Sequence, residues 1–130
     1  PTNLARSLIL LDKNGIIKLK DPNNVVATLD DIVENPKNLK ITTITADQIA
    51  IRLKEVGAAV IPGNYAVKNG LNPRESLAVE SKDSPYANII AVLKGNENDE
   101  RIKTLIEVLQ SNEMRKIVEQ KYNGSVIATF

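Results

Sequence analysis

Apolar residues recur at helical spacing near both ends of the chain. Leu4, Leu8 and Leu11 fall at i, i+4 and i+7, and Asn14-Gly15 follows as a stop signal, so the pattern predicts a helix over 4–13. Two further helices are predicted toward the carboxyl end on the same basis. Their inner faces would carry Ile102, Leu105, Ile106 and Leu109 in one, and Ile117, Val118 and Tyr122 in the next, with Asn123-Gly124 as the last stop.

Four short apolar segments between these helices are rich in β-branched residues and predict strands. They are 39–44, 58–61, 77–79 and 87–93. The segment 58–61 is a continuous apolar run, which is typical of a strand buried on both faces in a parallel sheet. Helices and strands alternate, so the sequence predicts an α/β fold with a mostly parallel sheet flanked by helices.

Two capping-box patterns mark helix starts in the first half of the chain. The two pairs are Thr28 with Asp31, and Thr45 with Gln48. The first is expected to open a short helix that Pro36 ends. The second is expected to open a helix with Ile49, Leu53 and Val56 on one face, closed at Gly57.

Composition excludes several classes of function. The 130 residues have the size of one domain, with 17 basic and 16 acidic side chains and a net charge of +1, and no basic run interleaved with aromatics suggests nucleic-acid binding. Cysteine and histidine are absent, which removes disulfides, the usual transition-metal sites and the Ser-His and Cys-His nucleophile pairs. No phosphate-binding loop, dinucleotide fingerprint or serine elbow occurs. We therefore expect no catalytic residue, no metal, no cofactor and no enzymatic activity.

Asn3 and Arg6 are the first candidate binding residues. A helix N-terminus carries partial positive charge and exposed N–H groups, so a cation placed there suggests an anion shared between the backbone, Asn3 and Arg6. The alternative is that Arg6 points into solvent, at a cost of a few tenths of a kcal/mol, about the size of a weak dipole effect. Spacing alone does not choose between them.

The loop Gly63-Asn64-Tyr65 is the second candidate, because it follows the predicted strand 58–61, where open α/β sheets place ligands. The glycine allows close approach and Asn64 offers both a donor and an acceptor. The alternative is a simple turn in which Asn64 caps the next helix, and Tyr65 is assigned more readily to packing. The stretch 83–86 is either a hinge or a simple connection.

Several short stretches of this sequence together resemble a known family. They are PTNLARSL at 1–8, DIVENPKNL at 31–39, GNYA at 63–66, GLNP at 70–73 and DSPYAN at 83–88, with Tyr122-Asn123-Gly124 near the end. Their order is similar to that in the second half of substrate-binding lipoproteins of the methionine-uptake type, the NlpA lipoprotein family. The resemblance implies a periplasmic-binding-protein-like fold and the extracytoplasmic component of an ABC importer, lipid-anchored to the bacterial cell envelope in its full-length form.

The resemblance also implies which residues bind the ligand and how the chain divides into lobes. Two lobes would close on methionine, a related amino acid or a short peptide, with Asn3 and Arg6 on the α-carboxylate and Asn64 on the polar end. Residues 1–84 would form the second lobe without its first strand, and 85–130 would cross back to complete a first lobe. That first lobe, of roughly a hundred residues, is expected to be missing. The partners implied are the ligand and an ABC transporter permease.

A second hypothesis comes from another class of function. A truncated chain could be an interaction module that binds no ligand and self-associates by exchanging segments across an exposed sheet edge.

Overall fold

The computed structural model describes residues 2–81, 84–122 and 126–130, with the side chain of Thr2 excepted. It opens with helix α1, Thr2–Lys13, which confirms the first predicted helix. The helix ends as expected: the Asn14 side chain donates to the Leu10 carbonyl at 2.8 Å, and Gly15 follows with φ 65°. Glycine adopts this left-handed backbone without the strain that a Cβ would add.

A two-stranded antiparallel sheet follows α1. Strand β1, Lys18–Leu19, pairs with strand β2, Ile32–Glu34, with Lys18 opposite Glu34. The Leu19 backbone N–H donates to the Asp12 carboxylate at 2.8 Å, which ties β1 to the end of α1. This sheet contains all the strand pairing within the described ranges.

The core lies between α1 and this hairpin. One face of α1 is buried together with side chains from β1 and from the turn before β2, and these residues form one cluster. Its members are Ala5, Leu8, Ile9, Ile17, Leu19 and Ala27. Tyr86, from a segment far along the chain, packs against the edge of the cluster. The core is therefore small and depends on α1.

The helix expected to run from Thr28 to Pro36 is wrong. The Asp31 carboxylate does accept from the Thr28 backbone N–H at 2.7 Å, as a capping box requires, but it opens only a single 3-10 turn, Leu29–Asp31. The chain then enters β2, because Ile32 and Val33 favour extended backbone and pairing with β1 supplies their ladder partners.

The helix expected after Thr45 is broken. Helix α2 spans only Ala46–Ile49, and a separate 3-10 turn follows at Leu53–Glu55. The Thr45 side chain makes no capping hydrogen bond to α2, so the first turn of α2 lacks the stabilisation that the sequence pattern predicted. Helix α3, Gly63–Lys68, confirms the expected short helix, but the predicted loop Gly63-Asn64-Tyr65 forms its first turn; Gly70 follows the helix with φ 75°.

The four predicted strands are not strands in the described structure: residues 39–44, 58–61, 77–79 and 87–93 lie in irregular backbone. A strand exists only where a neighbour completes its ladder, and none of the described segments pairs with these four. Their large apolar side chains are correspondingly uncovered, with Leu77, Ile89 and Leu93 strongly exposed. The local sequence pattern is that of a strand, but no strand among the described residues pairs with these segments.

Two helices near the carboxyl end confirm the periodicity. Helix α4 spans Glu100–Leu109, and the Asp99 carboxylate caps it by accepting the Arg101 backbone N–H at 2.9 Å. Helix α5 spans Asn112–Tyr122. The expected inner faces are only partly covered, since their apolar residues are half-buried or exposed and neither helix contains a buried residue. The predicted Asn123-Gly124 stop lies outside the described residues, and no helix within the described ranges is long and apolar enough to cross a membrane.

Leu8 tests whether the small core stabilises the fold. Its side chain is 1% exposed, so Leu8→Ala is expected to lower the free energy of unfolding by about 2–5 kcal/mol through lost burial and a cavity. Leu77→Ala is the matched control, because Leu77 is fully exposed and its truncation should change stability by less than about 0.5 kcal/mol. Urea unfolding followed by circular dichroism measures both. Equal losses in the two variants would contradict this description of the core.

Candidate functional site

The candidate site is built around Arg6. The buried residues Ala5, Leu8 and Ile9 fix the rotation of α1, which leaves Arg6 on a partly exposed face of the helix. There its guanidinium pairs with the Glu80 carboxylate: Nε donates to both carboxylate oxygens at 2.7 Å, and Nη2 donates to Oε2 as well. The side chains of Arg6 and Glu80 are 42% and 25% exposed.

This pairing has an electrostatic consequence. The hydrogen bonds that Arg6 donates to Glu80 raise the pKa of Arg6 above its ordinary value, and partial burial opposes them more weakly. Because the pKa in the folded state is raised, the stabilisation is present at all pH values below the pKa of the unfolded chain and fades only at strongly alkaline pH. Arg6 is therefore a permanent cation at any physiological pH.

Further contacts connect the ion pair to the segment around Tyr86. The Arg6 guanidinium carbon lies 5.4 Å from the centre of the Tyr86 ring, within cation–π range. The Ser84 hydroxyl donates to Glu80 Oε1 at 3.4 Å and accepts the Tyr86 backbone N–H at 3.3 Å. The Tyr86 hydroxyl reaches the Val25 carbonyl at 3.4 Å. Together these contacts fasten α1 to the part of the chain that is predicted to lead out of the second lobe.

A groove of about 200 Å³ lies beside this network, between the second half of α1 and residues 79–81 and 84–86. Glu80 and Tyr86 are on its wall. None of Asn3, Arg6 and Asn64 lines it. The predicted binding residues therefore do not meet in this groove.

The other predicted residues lie apart from the ion pair. Asn3 is exposed on the first turn of α1, where its backbone carbonyl accepts from the Ser7 hydroxyl at 2.7 Å. Asn64 is exposed as the second residue of α3. Pro62 is the N-cap of this helix and no side chain caps it, so Asn64 is not the helix cap that the alternative interpretation predicted. Tyr65 is half-buried, in keeping with a packing role. No hydrogen bond joins either residue of this loop to Arg6 within the described part of the chain.

The helix-dipole interpretation of Arg6 needs correction. Because α1 begins at Thr2, Arg6 is its fifth residue and lies beyond the first turn, where the dipole effect has fallen off. The side chain does not point freely into solvent either, since Glu80 supplies a carboxylate from within the chain. Sequence reasoning missed Glu80 and Tyr86: a single glutamate after a short apolar run carries no recognisable signal, and 74 positions separate it from Arg6.

The described residues contain no group of three or more acidic side chains placed to hold a metal ion. The chemistry that the site offers is therefore that of a fixed guanidinium beside a carboxylate and an aromatic ring. A guanidinium has the geometry to bind a planar carboxylate, and in the described structure Glu80 supplies that carboxylate.

Comparison with known proteins shows that the fold is that of substrate-binding proteins. A periplasmic substrate-binding protein of an ABC transporter from Coxiella burnetii superposes with a TM-score of 0.79, at 39% identity, over 98% of this chain and 54% of that chain. A nutrient binding protein from Burkholderia cenocepacia, solved bound to methionine, superposes with a TM-score of 0.80, at 41% identity, over all of this chain and 56% of that one.

The family follows from the sequence match. The family model described as NlpA lipoprotein matches residues 1–130, and the chain belongs to this family. The D-methionine-binding lipoprotein MetQ of Salmonella typhi is 43% identical over 130 residues, which covers 98% of this chain and 48% of that relative. The chain thus spans about half the length of the curated relatives it matches.

These likenesses confirm two predictions. The α/β class of the periplasmic-binding-protein type is confirmed, since the backbone follows the solved relatives at high TM-score although the strand ladders of 39–44, 58–61, 77–79 and 87–93 are not formed. The relatives are lipoproteins and a periplasmic substrate-binding protein, which confirms the extracytoplasmic cell-envelope location expected for this family.

The strength of the Arg6–Glu80 pair is measurable by a double-mutant cycle. Arg6→Ala, Glu80→Ala and the double variant are expected to give a coupling free energy of about 1 kcal/mol, near the upper end for partly exposed pairs because the contact is bidentate. Urea unfolding in low and high salt measures it, and the coupling should shrink with added salt. The exposed Arg101–Asp99 pair provides the comparison. A coupling near zero at low salt would show that the pair does not form in solution.

Proposed function

We propose that this chain is part of the extracytoplasmic solute-binding component of an ABC importer, and that it binds methionine or a related amino acid or short peptide. Family membership supports the class of protein. The names of the relatives support the ligand class, because one is a D-methionine-binding lipoprotein and another was solved bound to methionine. These relatives bind or transport, and the proposed activity is likewise binding without catalysis.

The observation that carries the proposal is the geometry at Arg6. A partly exposed guanidinium is held in place and already binds one carboxylate. An amino-acid ligand presents another group of the same chemistry, its α-carboxylate. Charge-assisted hydrogen bonds of this kind contribute about 1.5–3 kcal/mol each, so one arginine can account for a large share of the affinity for a free amino acid.

Asn3 and Asn64 have supporting roles in the proposal. Both side chains are exposed, and an amide can donate to a carboxylate or accept from an ammonium group. Asn3 would join Arg6 on the α-carboxylate, and Asn64 would hold the polar end of the ligand. Tyr65, half-buried beside Asn64, would fix the loop by packing.

The proposal requires two lobes, with residues 1–84 in the second and 85–130 returning to complete the first. The uncovered apolar side chains at Leu77, Ile89 and Leu93 are compatible with a sheet that is completed by sequence corresponding to the rest of the relatives' length. The side chain of the ligand would be recognised largely by that other lobe. An ABC transporter permease would receive the ligand from the closed protein.

Arg6→Ala tests the proposed carboxylate contact. In the product of the complete gene, this variant is expected to bind L-methionine at least tenfold more weakly, since about 1.4 kcal/mol or more of charge-assisted hydrogen bonding is lost. Isothermal titration calorimetry measures the affinity. Arg52→Ala is the matched control, because Arg52 is an exposed arginine of the segment after α2 and its removal should leave the affinity unchanged.

Two results would reject the proposed function. The first is that the wild-type protein binds neither L-methionine nor any other free amino acid or short peptide. The second is that Arg6→Ala leaves the affinity for L-methionine unchanged while the control variant behaves as expected.

Self-association by segment exchange is the second candidate, favoured by the exposed apolar side chains of 77–79 and 87–93. It predicts a particle of two or more chains, whereas the binding-protein proposal predicts a monomer for the product of the complete gene. Size-exclusion chromatography with light scattering decides between them. We expect a monomeric mass over a wide concentration range. A dimer that does not bind the ligand would favour the second candidate.

A further inference from the structure

We propose that Glu80 is a positioning residue of the carboxylate site: it holds the Arg6 guanidinium by one edge so that the other edge is presented to the ligand. This inference rests on the proposed function and adds a residue to it. Glu80 does not contact the ligand in this account. It acts through Arg6.

The edges of the guanidinium carry the argument. A guanidinium has two edges that can each form a pair of parallel hydrogen bonds, the side edge with Nε and Nη2 and the end edge with Nη1 and Nη2. Glu80 takes the side edge, because Nε donates to both of its carboxylate oxygens at 2.7 Å and Nη2 donates to Oε2. Within the described part of the chain Nη1 makes no hydrogen bond. The end edge is therefore left for a second carboxylate.

Glu80 is itself held in place. The Ser84 hydroxyl donates to its Oε1 at 3.4 Å, and the Tyr86 ring lies under the guanidinium at 5.4 Å, so carboxylate, cation and ring form one packed unit. A long arginine side chain loses substantial rotamer entropy when it is fixed. In this unit that loss has already occurred before a ligand arrives, which is the usual benefit of a preorganised site.

Charge works in the opposite direction. The negative Glu80 repels an arriving carboxylate, so the pair weakens attraction at the same time as it improves alignment. The occupied edge decides which effect prevails. Since Glu80 binds the side edge, a ligand can use the end edge without displacing it, and alignment is gained without breaking the ion pair.

The experiment uses the product of the complete gene, with L-methionine as the ligand in calorimetry. Glu80→Ala is expected to weaken binding about tenfold, because the ligand would then have to immobilise the long Arg6 side chain itself. Glu80→Gln should fall in between, because its amide oxygen still accepts one hydrogen bond from Arg6. Glu34→Ala is the matched control, as it removes another glutamate from an ion pair, with Lys18 at 3.0 Å, on the hairpin.

A second readout separates positioning from a general structural loss. The Arg6 Nε–H signal in ¹⁵N NMR, assigned by its disappearance in Arg6→Ala, should be sharp in the ligand-free wild type and broadened by exchange in Glu80→Ala. Weaker binding together with this broadening supports the inference. Weaker binding with an unchanged Arg6 signal overturns it, since the loss would then come from elsewhere in the fold.

Three further outcomes also overturn it. Tighter binding by Glu80→Ala would show that Glu80 competes with the ligand for Arg6. Unchanged binding by Glu80→Ala, with binding weakened by Arg6→Ala, would leave the proposed function standing and remove Glu80 from it. No binding of L-methionine by the wild type would reject the methionine site and this inference together.

Discussion

The packing of α1 against the β1–β2 hairpin is the constraint on which the rest of the described structure depends. Ala5, Leu8 and Ile9 enter the core together, so the rotation of the helix about its axis is fixed by burial. Arg6 is thereby placed on the partly exposed flank of this buried face, where it pairs with Glu80. A change that rotated α1 would cost both the core and the ion pair, because they occupy neighbouring positions of the same turn.

The Arg6–Glu80 pair links two parts of the chain that are 74 positions apart. Ser84 and Tyr86 extend the link, and Tyr86 also packs on the core at its edge. This segment is where the sequence predicts the chain to leave one lobe for the other. A ligand bound to Arg6 would therefore contact a residue that Glu80 and Tyr86 link to the predicted crossover. In the proposed two-lobed arrangement, the crossover is where a closing motion of the lobes would be accommodated.

Local signals in the sequence predicted three of the helices. The i, i+4, i+7 pattern with Asn14-Gly15 gave the carboxyl end of α1, which begins two residues before the predicted start, and the same reasoning found α4 and α5. The two capping-box patterns did not yield the full helices that they predicted. The strand segments failed because a ladder depends on a neighbour that local sequence does not reveal. Glu80 was missed for the same reason: its importance comes from a contact 74 positions away. The alternation of predicted helices and strands already predicted the α/β class, whereas its periplasmic-binding-protein type was predicted only by the family resemblance, which carries long-range information implicitly.

The most direct test of the account is a crystal structure of the complete gene product with L-methionine. The account predicts that the α-carboxylate of the ligand lies about 3 Å from the end edge of the Arg6 guanidinium, with Glu80 still bound to the side edge. A ligand whose carboxylate is held elsewhere, with Arg6 bound only to Glu80, would contradict it.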